Sequence, residues 1–137
     1  MRVASFVAFV MAVFMWSGNA SASNCARDNY DHNGSLMEIE VCDGGSIVIA
    51  YDRPRAGMRR QGVRSGTLLF EGRSNDGIHV SGTARVFKRG CGPATYRVSG
   101  RWSNDGNRLV MRGRAPVRRG GCAIRRYRND RLVFDLQ

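Results

Sequence analysis

Apolar residues recur at every second position over much of this chain. The alternation is clearest in three runs, which are Met37, Ile39 and Val41, then Tyr96, Val98 and Trp102, then Leu132, Phe134 and Leu136. A period of two places alternate side chains on opposite faces of a β-sheet, one toward a core and the other toward water. Beyond about residue 22, no stretch shows a comparable helical period. The pattern therefore predicts an all-β fold.

Turn-forming segments separate the predicted strands. Asp43-Gly44-Gly45, Ser74-Asn75-Asp76-Gly77 and Ser103-Asn104-Asp105-Gly106 can each supply the positive φ angles that tight hairpins need. Seven or eight strands are predicted, over residues 36–42, 46–52, 66–73, 77–88, 94–102, 107–114, 122–128 and 131–136. Short strands joined by glycine-rich turns favour a small antiparallel β-barrel or sandwich.

The segment 72–77 has a near copy at 101–106, since both end in Ser-Asn-Asp-Gly and both lie between predicted strands. Two hairpins that use the same turn explain this similarity, and an internal duplication is the alternative. Either interpretation fits a meander of consecutive antiparallel strands.

The first 22 residues have the features of a secretory signal. Arg2 precedes an apolar run from Val3 to Trp16 that only Ser5 interrupts, and Ala20-Ser21-Ala22 resembles a cleavage site. The apolar run is short for a membrane span, although an uncleaved anchor is the alternative. We therefore expect residues 1–22 to be removed on export, which leaves a single β domain, 23–137, in the periplasm or outside the cell.

All four cysteines, Cys25, Cys42, Cys91 and Cys122, follow the predicted signal. An even number of cysteines in an oxidising compartment predicts two disulfides. Three connectivities are open, and we favour Cys25–Cys42 with Cys91–Cys122 because the second pair lies in similar glycine-rich turns. The chain has no Cys-x-x-Cys spacing, so neither a metal site nor a cofactor is expected.

Arginine supplies nearly all of the positive charge. Residues 23–137 contain 20 arginines and one lysine, Lys88, against 11 acidic residues, which gives a net charge of +10. The planar guanidinium binds carboxylates and phosphates through two parallel hydrogen bonds and stacks on aromatic rings. An exported chain of this composition is expected to bind an anionic partner. A solvated basic surface, rich in arginine because of GC-rich coding DNA, is the alternative.

The arginines are concentrated in two segments. One is a loop, 53–64, that is longer than a hairpin needs and also holds Pro54, Gly57 and Gly62. The other is a C-terminal stripe, 112–131, which ends with Arg128 and Arg131. The predicted binding residues are Arg53, Arg55, Arg59, Arg60, Arg64, Arg112, Arg114, Arg118, Arg119, Arg125 and Arg126. Three aromatic residues near arginines in the sequence, Tyr96, Trp102 and Tyr127, could stack on a sugar or a base. Because they occupy alternating positions, they are expected mostly in the core.

No catalytic motif stands out. His32 lies in a polar turn, where a local hydrogen bond is expected, and His79 lies on the polar face of a predicted strand. Two histidines beside arginines could cleave RNA as general base and acid, with Glu71 in place of one of them, but the spacing does not require these groups to meet. Glu38 and Glu40 share one strand face and are expected in solvent rather than as a glycosidase pair. We therefore predict no enzymatic activity.

Three strings resemble a family of small exported bacterial proteins. They are Gly66-Thr67-Leu68-Leu69-Phe70-Glu71-Gly72, Ser81-Gly82-Thr83-Ala84-Arg85-Val86-Phe87 and Cys91-Gly92-Pro93-Ala94-Thr95-Tyr96-Arg97-Val98-Ser99-Gly100, preceded by Tyr30-Asp31-His32-Asn33-Gly34-Ser35. The likeness covers roughly Tyr30 to Leu136. It implies export and a single β domain, sometimes beside cell-wall-associated modules. Because that family has no assigned chemistry, the resemblance implies no catalytic residue.

A looser resemblance is to the periplasmic inhibitors of c-type lysozyme, which are small β-barrels with a Ser-Gly-x-x-Tyr loop. Here Ser81-Gly82-Thr83-Ala84-Arg85 has arginine where that loop has tyrosine. Lysozymes of this type are themselves basic, so a strongly cationic chain would repel them. The missing tyrosine and the positive charge both put lysozyme inhibition in doubt.

Three functions are open at this point. The favoured one is a non-enzymatic binding module that holds an envelope glycan, a lipid headgroup or an acidic protein; nucleic acid is not the favoured partner. The second is a secreted protein directed at a host or competitor cell. The third is a lysozyme-inhibitor-like protein, a small ribonuclease or another hydrolase.

Overall fold

The computed structural model describes residues 23–137, so the predicted signal segment lies outside the described residues. Eight strands and one short helix make up the fold: β1 (Cys25–His32), β2 (Ser35–Cys42), β3 (Ser46–Arg53), α1 (Ala56–Arg60), β4 (Leu68–Arg73), β5 (His79–Val86), β6 (Ala94–Trp102), β7 (Arg108–Arg118) and β8 (Ile124–Leu136). Each strand pairs antiparallel with the next, and β1 pairs with β8 to close the barrel. The all-β prediction is confirmed, and the closed sheet decides between barrel and sandwich.

The strand prediction was wrong at both ends of the domain. It missed β1, because the residues from Cys25 to Asn29 are all exposed and show no alternation. This strand forms through continuous pairing with β2, from Cys25–Cys42 to His32–Ser35. The prediction also divided β8 into 122–128 and 131–136, because Asn129-Asp130 has the composition of a turn. In the barrel these two residues pair with β7 and the strand continues through them.

The long loop between β3 and β4 contains α1, which the sequence did not predict. Five residues are too few to establish a helical period, so the hydrophobic pattern could not reveal this helix. Met58 in α1 packs against the core, and Val63, which follows the helix, is buried within the core. These two contacts hold the loop over one end of the barrel.

The inward-facing side chains of the eight strands fill the barrel. Its largest fully buried members come from five strands and are Met37, Ile39, Ile47, Ile49, Phe70, Leu109, Met111 and Phe134. Burial of an apolar side chain of this size contributes roughly 1.5–3 kcal/mol, so this core is the main source of stability. The period-two pattern correctly identified Met37, Ile39, Leu132 and Phe134 as inward residues, but Val41 and Leu136, at the ends of the same runs, are exposed.

The two disulfides fasten opposite ends of the barrel. Cys25–Cys42 joins the paired ends of β1 and β2, and Cys91–Cys122 joins the β5–β6 connection to the β7–β8 connection. Both pairings agree with the prediction. Across residues 23–137, no helix has the length and hydrophobicity needed to cross a membrane.

Candidate anion-binding surface

Antiparallel order brings the arginine segments to one end of the barrel. Because neighbouring strands run in opposite directions, the connections after β1, β3, β5 and β7 all lie at the same end. Three of these connections, with their flanking strand ends, define what we call the cationic end: residues 53–67, 87–93 and 118–126. They contain eleven cationic side chains and no acidic one. The predicted loop, 53–64, and residues 118–126 of the predicted stripe therefore form one surface.

The opposite end of the barrel has a different balance of charge. Its three turns, 43–45, 74–78 and 103–107, contain Asp43, Asp76 and Asp105 and no cationic residue. Because Arg73 and Arg108 flank these turns, the opposite end is close to neutral, and net positive charge is concentrated at the cationic end. A concentration of this kind creates a field that orients an approaching anion toward one end.

A two-stranded arm carries part of the cationic end. Pairing of β6 with β7 reaches only Val98–Gly113, whereas pairing of β7 with β8 continues to Arg118–Ile124. The arm, residues 114–128, is fixed at its tip by Cys91–Cys122. Arg118 Nη1 donates to Gly92 O at 2.7 Å, and Lys88 Nζ donates to Gly121 O at 2.9 Å. These contacts lock the arm to the β5–β6 connection.

Hydrogen bonds also fix the loop that contains α1. Arg59 Nη1 donates to Pro54 O at 2.6 Å within the loop. Arg89, in the β5–β6 connection, donates from Nη1 to Arg60 O at 3.3 Å and from its backbone N–H to Gln61 Oε1 at 3.1 Å. The three connections therefore form a continuous, braced surface and not three separate loops.

The predicted binding residues fall into two groups by their contacts. Arg59 and Arg118 bind backbone carbonyls, and Arg114 Nη1 lies 3.5 Å from Asn129 Oδ1. The other eight form no side-chain hydrogen bond or ion pair with another residue of the described domain: Arg53, Arg55, Arg60, Arg64, Arg112, Arg119, Arg125 and Arg126. All eight are exposed, so their guanidinium groups are available to an anion.

Within residues 23–137, the ion pairs lie away from the cationic end. Arg27 pairs with Glu38 and Glu40, His79 with Asp76, Arg85 with Glu71, and Arg108 with Asp135. No acidic side chain of the described domain therefore neutralises the arginines that the three connections bring together. Exposed ion pairs contribute little to stability, so charge placement here concerns recognition more than folding.

Arg112 and Arg114 do not lie at the cationic end but on the outer wall of β7. Arg112 is directly paired with Arg131 of β8, and both are exposed. Like charges directly opposite each other in an antiparallel pair are destabilising. A shallow depression between β7 and β8, lined by both arginines and by Arg114, extends the positive surface down the wall.

The three aromatic residues of this region differ in exposure. Tyr96 is buried, and Trp102 is half-buried against Tyr30, with ring centroids 5.6 Å apart. Tyr127 is 52 % exposed, so the expectation that it lies in the core was wrong. It is paired with Pro116 within the arm, beyond the point where β6 pairs with β7. An exposed tyrosine among arginines can stack on a sugar ring.

A cavity of about 240 Å³ opens at the mouth of the barrel, under the cationic end. His32, Tyr51 and Tyr96 line its inner part, and Arg55 and Arg128 lie among its other lining residues. Tyr96 donates a hydrogen bond from its hydroxyl to Asp130 Oδ2 at 2.6 Å. Burial raises the pKa of Tyr51 to about 12, so this phenol remains protonated at neutral pH. No local sequence pattern indicates this cavity, because its walls come from six strands.

His32 belongs to this mouth rather than to a polar turn. It is the last residue of β1 and is 7 % exposed, and its ring stacks on Phe134 with centroids 4.6 Å apart. Its Nδ1 donates to Val133 O at 2.8 Å. The expected local hydrogen bond was therefore wrong, because barrel closure supplies a partner from β8.

His32 makes stability depend on pH in mildly acidic solution. Burial lowers the pKa of His32, against weaker opposing effects of the Val133 carbonyl, Asp130 and Asp31, while Arg55 adds to the lowering. His32 binds a proton near pH 6.5 in the unfolded chain but only at lower pH in the folded chain. Its contribution to the free energy of unfolding is therefore fully present above pH 6.5 and decreases below it. We predict that the free energy of unfolding, measured by urea titration, decreases from pH 7 to pH 5. His32→Asn, which keeps a donor but does not titrate, should remove this decrease; an unchanged slope would contradict the assignment.

The structure does not bring the candidate catalytic groups together. His32 lies at the end of β1 and His79 at the start of β5, which places the two histidines at opposite ends of the barrel. Glu71 forms an ion pair with Arg85 at 3.0 Å. Glu38 is exposed and Glu40 is half-buried, and both lie near Arg27. These positions offer no acid and base facing a common space.

One cluster of metal-type ligands occurs in residues 23–137, formed by Cys25, Glu40 and Cys42. Its two sulfurs are joined in a disulfide, so neither is a thiolate that could bind a metal ion. This cluster therefore provides a single carboxylate and not a metal centre.

No protein-family model, curated protein or solved structure shows a significant match to this chain.

Proposed function

We propose that this chain is an exported, non-enzymatic binding module whose cationic end holds an anionic glycan of the cell envelope. The observation that carries the proposal is the distribution of charge: eleven cations and no acid at one end, three aspartates and no cation in the turns at the other. Arginines also lie toward the opposite end, but acidic residues offset them there, whereas none does so within the cationic end. The concentration at one end is what recognition of an anion requires.

A glycan is favoured over a lipid surface by the shape and composition of the cationic end. The arginines continue from the end of the barrel down the wall to Arg112 and Arg131, which suits a chain with repeated charges. Tyr127 is exposed among them and can stack on a sugar. Export to the periplasm or beyond is supported by the two disulfides, which persist in oxidising compartments.

Salt dependence of binding tests the proposal. Heparin serves as the probe because it is a glycan with dense negative charge. When a protein displaces counterions from a polyanion, log Kd rises linearly with the logarithm of the salt concentration. The slope is about 0.7–0.9 per ionic contact. With about six contacts from the exposed arginines, we predict a slope of about 4–5, measured by fluorescence anisotropy between low and moderate salt.

Two controls accompany this titration. Uncharged dextran should not bind at any salt concentration. Vesicles of phosphatidylglycerol should bind more weakly than heparin at the same salt concentration. A heparin affinity that does not change with salt would contradict the proposal, and vesicle binding as tight as heparin binding would overturn the choice of a glycan.

A further inference from the structure

The mouth cavity lies beneath the cationic end and shares Arg55 with it. Its volume of about 240 Å³ is below the 300–1,000 Å³ typical of pockets for drug-sized ligands. A space of this size suits a single sugar with one charged substituent. The cavity is open at the cationic end, so an anion attracted to that end can enter it.

Four arginines, Arg55, Arg85, Arg128 and Arg131, line this cavity, and the charges of Arg55 and Arg128 act on its inner side chains. Arg55 lies close enough to His32 and Tyr51 for its charge to lower the pKa of both, and Arg128 acts in the same way on Tyr96. Neither guanidinium forms a hydrogen bond or ion pair with another residue of the described domain. The register supports an inward position for Arg128, because its partner on β7, Ala115, is fully buried.

The acidic residue of the cavity forms no ion pair with either arginine. Asp130 accepts the short hydrogen bond from the Tyr96 hydroxyl. Arg85 also lines the cavity, and although its Nη2 pairs with Glu71, its Nη1 is buried without a hydrogen-bond partner. A buried donor without a partner costs free energy, which a bound acceptor can recover.

The neutral part of the lining suits a sugar. The Tyr51 hydroxyl is protonated and forms no hydrogen bond with another described residue, so it can donate to a ligand. The rings of Tyr51 and Phe87 are 6.1 Å apart and nearly perpendicular, which gives the cavity an apolar wall. Sugar-binding sites combine aromatic surfaces with a small number of polar donors.

We propose that the mouth cavity binds the phosphate group of a phosphorylated sugar, between Arg55 and Arg128. A phosphate monoester carries about two negative charges and matches two unpaired guanidinium groups, whereas a sugar carboxylate carries one. Arginine also binds phosphate oxygens through two parallel hydrogen bonds. This inference rests on the proposed function, since it names the group that a phosphorylated glycan would present to the mouth.

Glucose 1-phosphate, inorganic phosphate and glucuronate are the probes that test this site. In calorimetric titrations of the disulfide-bonded domain, glucose 1-phosphate should bind more tightly than either of the other two. In NMR spectra, it should shift the signals of His32, Tyr51 and Tyr96. The variant Arg55→Gln with Arg128→Gln should bind glucose 1-phosphate at least about tenfold more weakly, because two charge-assisted interactions are lost.

Heparin binding separates this inference from the proposed function. The double variant should lose no more than about fivefold in heparin affinity, because Arg55 is one of the exposed arginines and only two surface charges are removed. If wild type binds glucose 1-phosphate but not heparin, the proposed function fails and the cavity assignment stands. If wild type binds heparin but not glucose 1-phosphate, the cavity assignment fails alone.

Two other results would overturn the cavity assignment. One is equal affinity for glucuronate and glucose 1-phosphate, and the other is an unchanged affinity in the double variant. Near-ultraviolet circular dichroism checks that the variant is folded. If it is not, the shifts of His32, Tyr51 and Tyr96 in wild type decide the question, because shifts confined to other residues would exclude the cavity.

Discussion

Replacement of Gly100 by alanine is expected to lower the free energy of unfolding by about 3 kcal/mol, at the upper end of the usual cost of overpacking. A Cβ atom at this position would collide with the carbonyl oxygen of Val110 and the Cα atom of Met111. Both atoms belong to the backbone of β7, so no side-chain rotation can relieve the contact. Moving β7 would disturb its pairing with β8 and open the wall of the barrel.

Gly92 provides the matched control for this substitution. A Cβ atom there has no neighbour within 4 Å, and Gly92 lies in an exposed connection. Gly92→Ala should therefore leave stability nearly unchanged. Urea denaturation of the two variants beside wild type measures the difference. Equal stabilities for both variants would mean that β6 and β7 do not approach each other as closely as the closed barrel requires.

The sequence pattern was sufficient for the fold class but not for every strand. Alternation identified Met37, Ile39, Leu132 and Phe134 as inward residues, because these strands have one exposed and one buried face. It was wrong for Val41 and Leu136, which are exposed. β1 escaped notice because its first five residues are exposed and their pairing with β2 is not encoded by local hydrophobicity. The disulfide pairing was predicted correctly, and Cys25–Cys42 fixes this unpatterned strand to its neighbour.

The candidate surface was only partly predictable. The clustering of arginines is visible in the sequence, but whether the clusters 53–64 and 118–126 meet depends on which end of the barrel each connection occupies. Strand order supplies that information, since alternate connections of an up-and-down barrel lie at the same end. The mouth cavity could not be predicted, because Tyr51, Tyr96 and Arg128 come together only when the sheet closes.

Removal of four arginines from the cationic end is expected to weaken heparin binding by about 30-fold, if each exposed contact contributes an amount typical of surface charges. The four are Arg60, Arg64, Arg119 and Arg126, each replaced by glutamine. All are exposed, and none of their side chains contacts another charged or polar group of the described domain, so the fold should be unaffected. The dependence of log Kd on log salt should become shallower by about 3, because four counterion-displacing contacts are lost.

A matched variant separates the position of charge from its amount. Arg27, Arg73, Arg101 and Arg108 lie toward the opposite end of the barrel, and three of them contact Glu40, Gly44 or Asp135. Their replacement by glutamine also removes four positive charges. Because the ion pairs that this breaks are exposed, the loss of stability should be small.

The heparin affinity of these two four-arginine variants, measured beside wild type at the same salt concentration, is the most direct test of an anion-binding cationic end. The variant that lacks Arg60, Arg64, Arg119 and Arg126 should bind about 30-fold more weakly than wild type, and the matched variant should remain within about threefold of it. If both variants lose affinity to the same extent, binding depends on net charge alone and the cationic end is not a recognition surface.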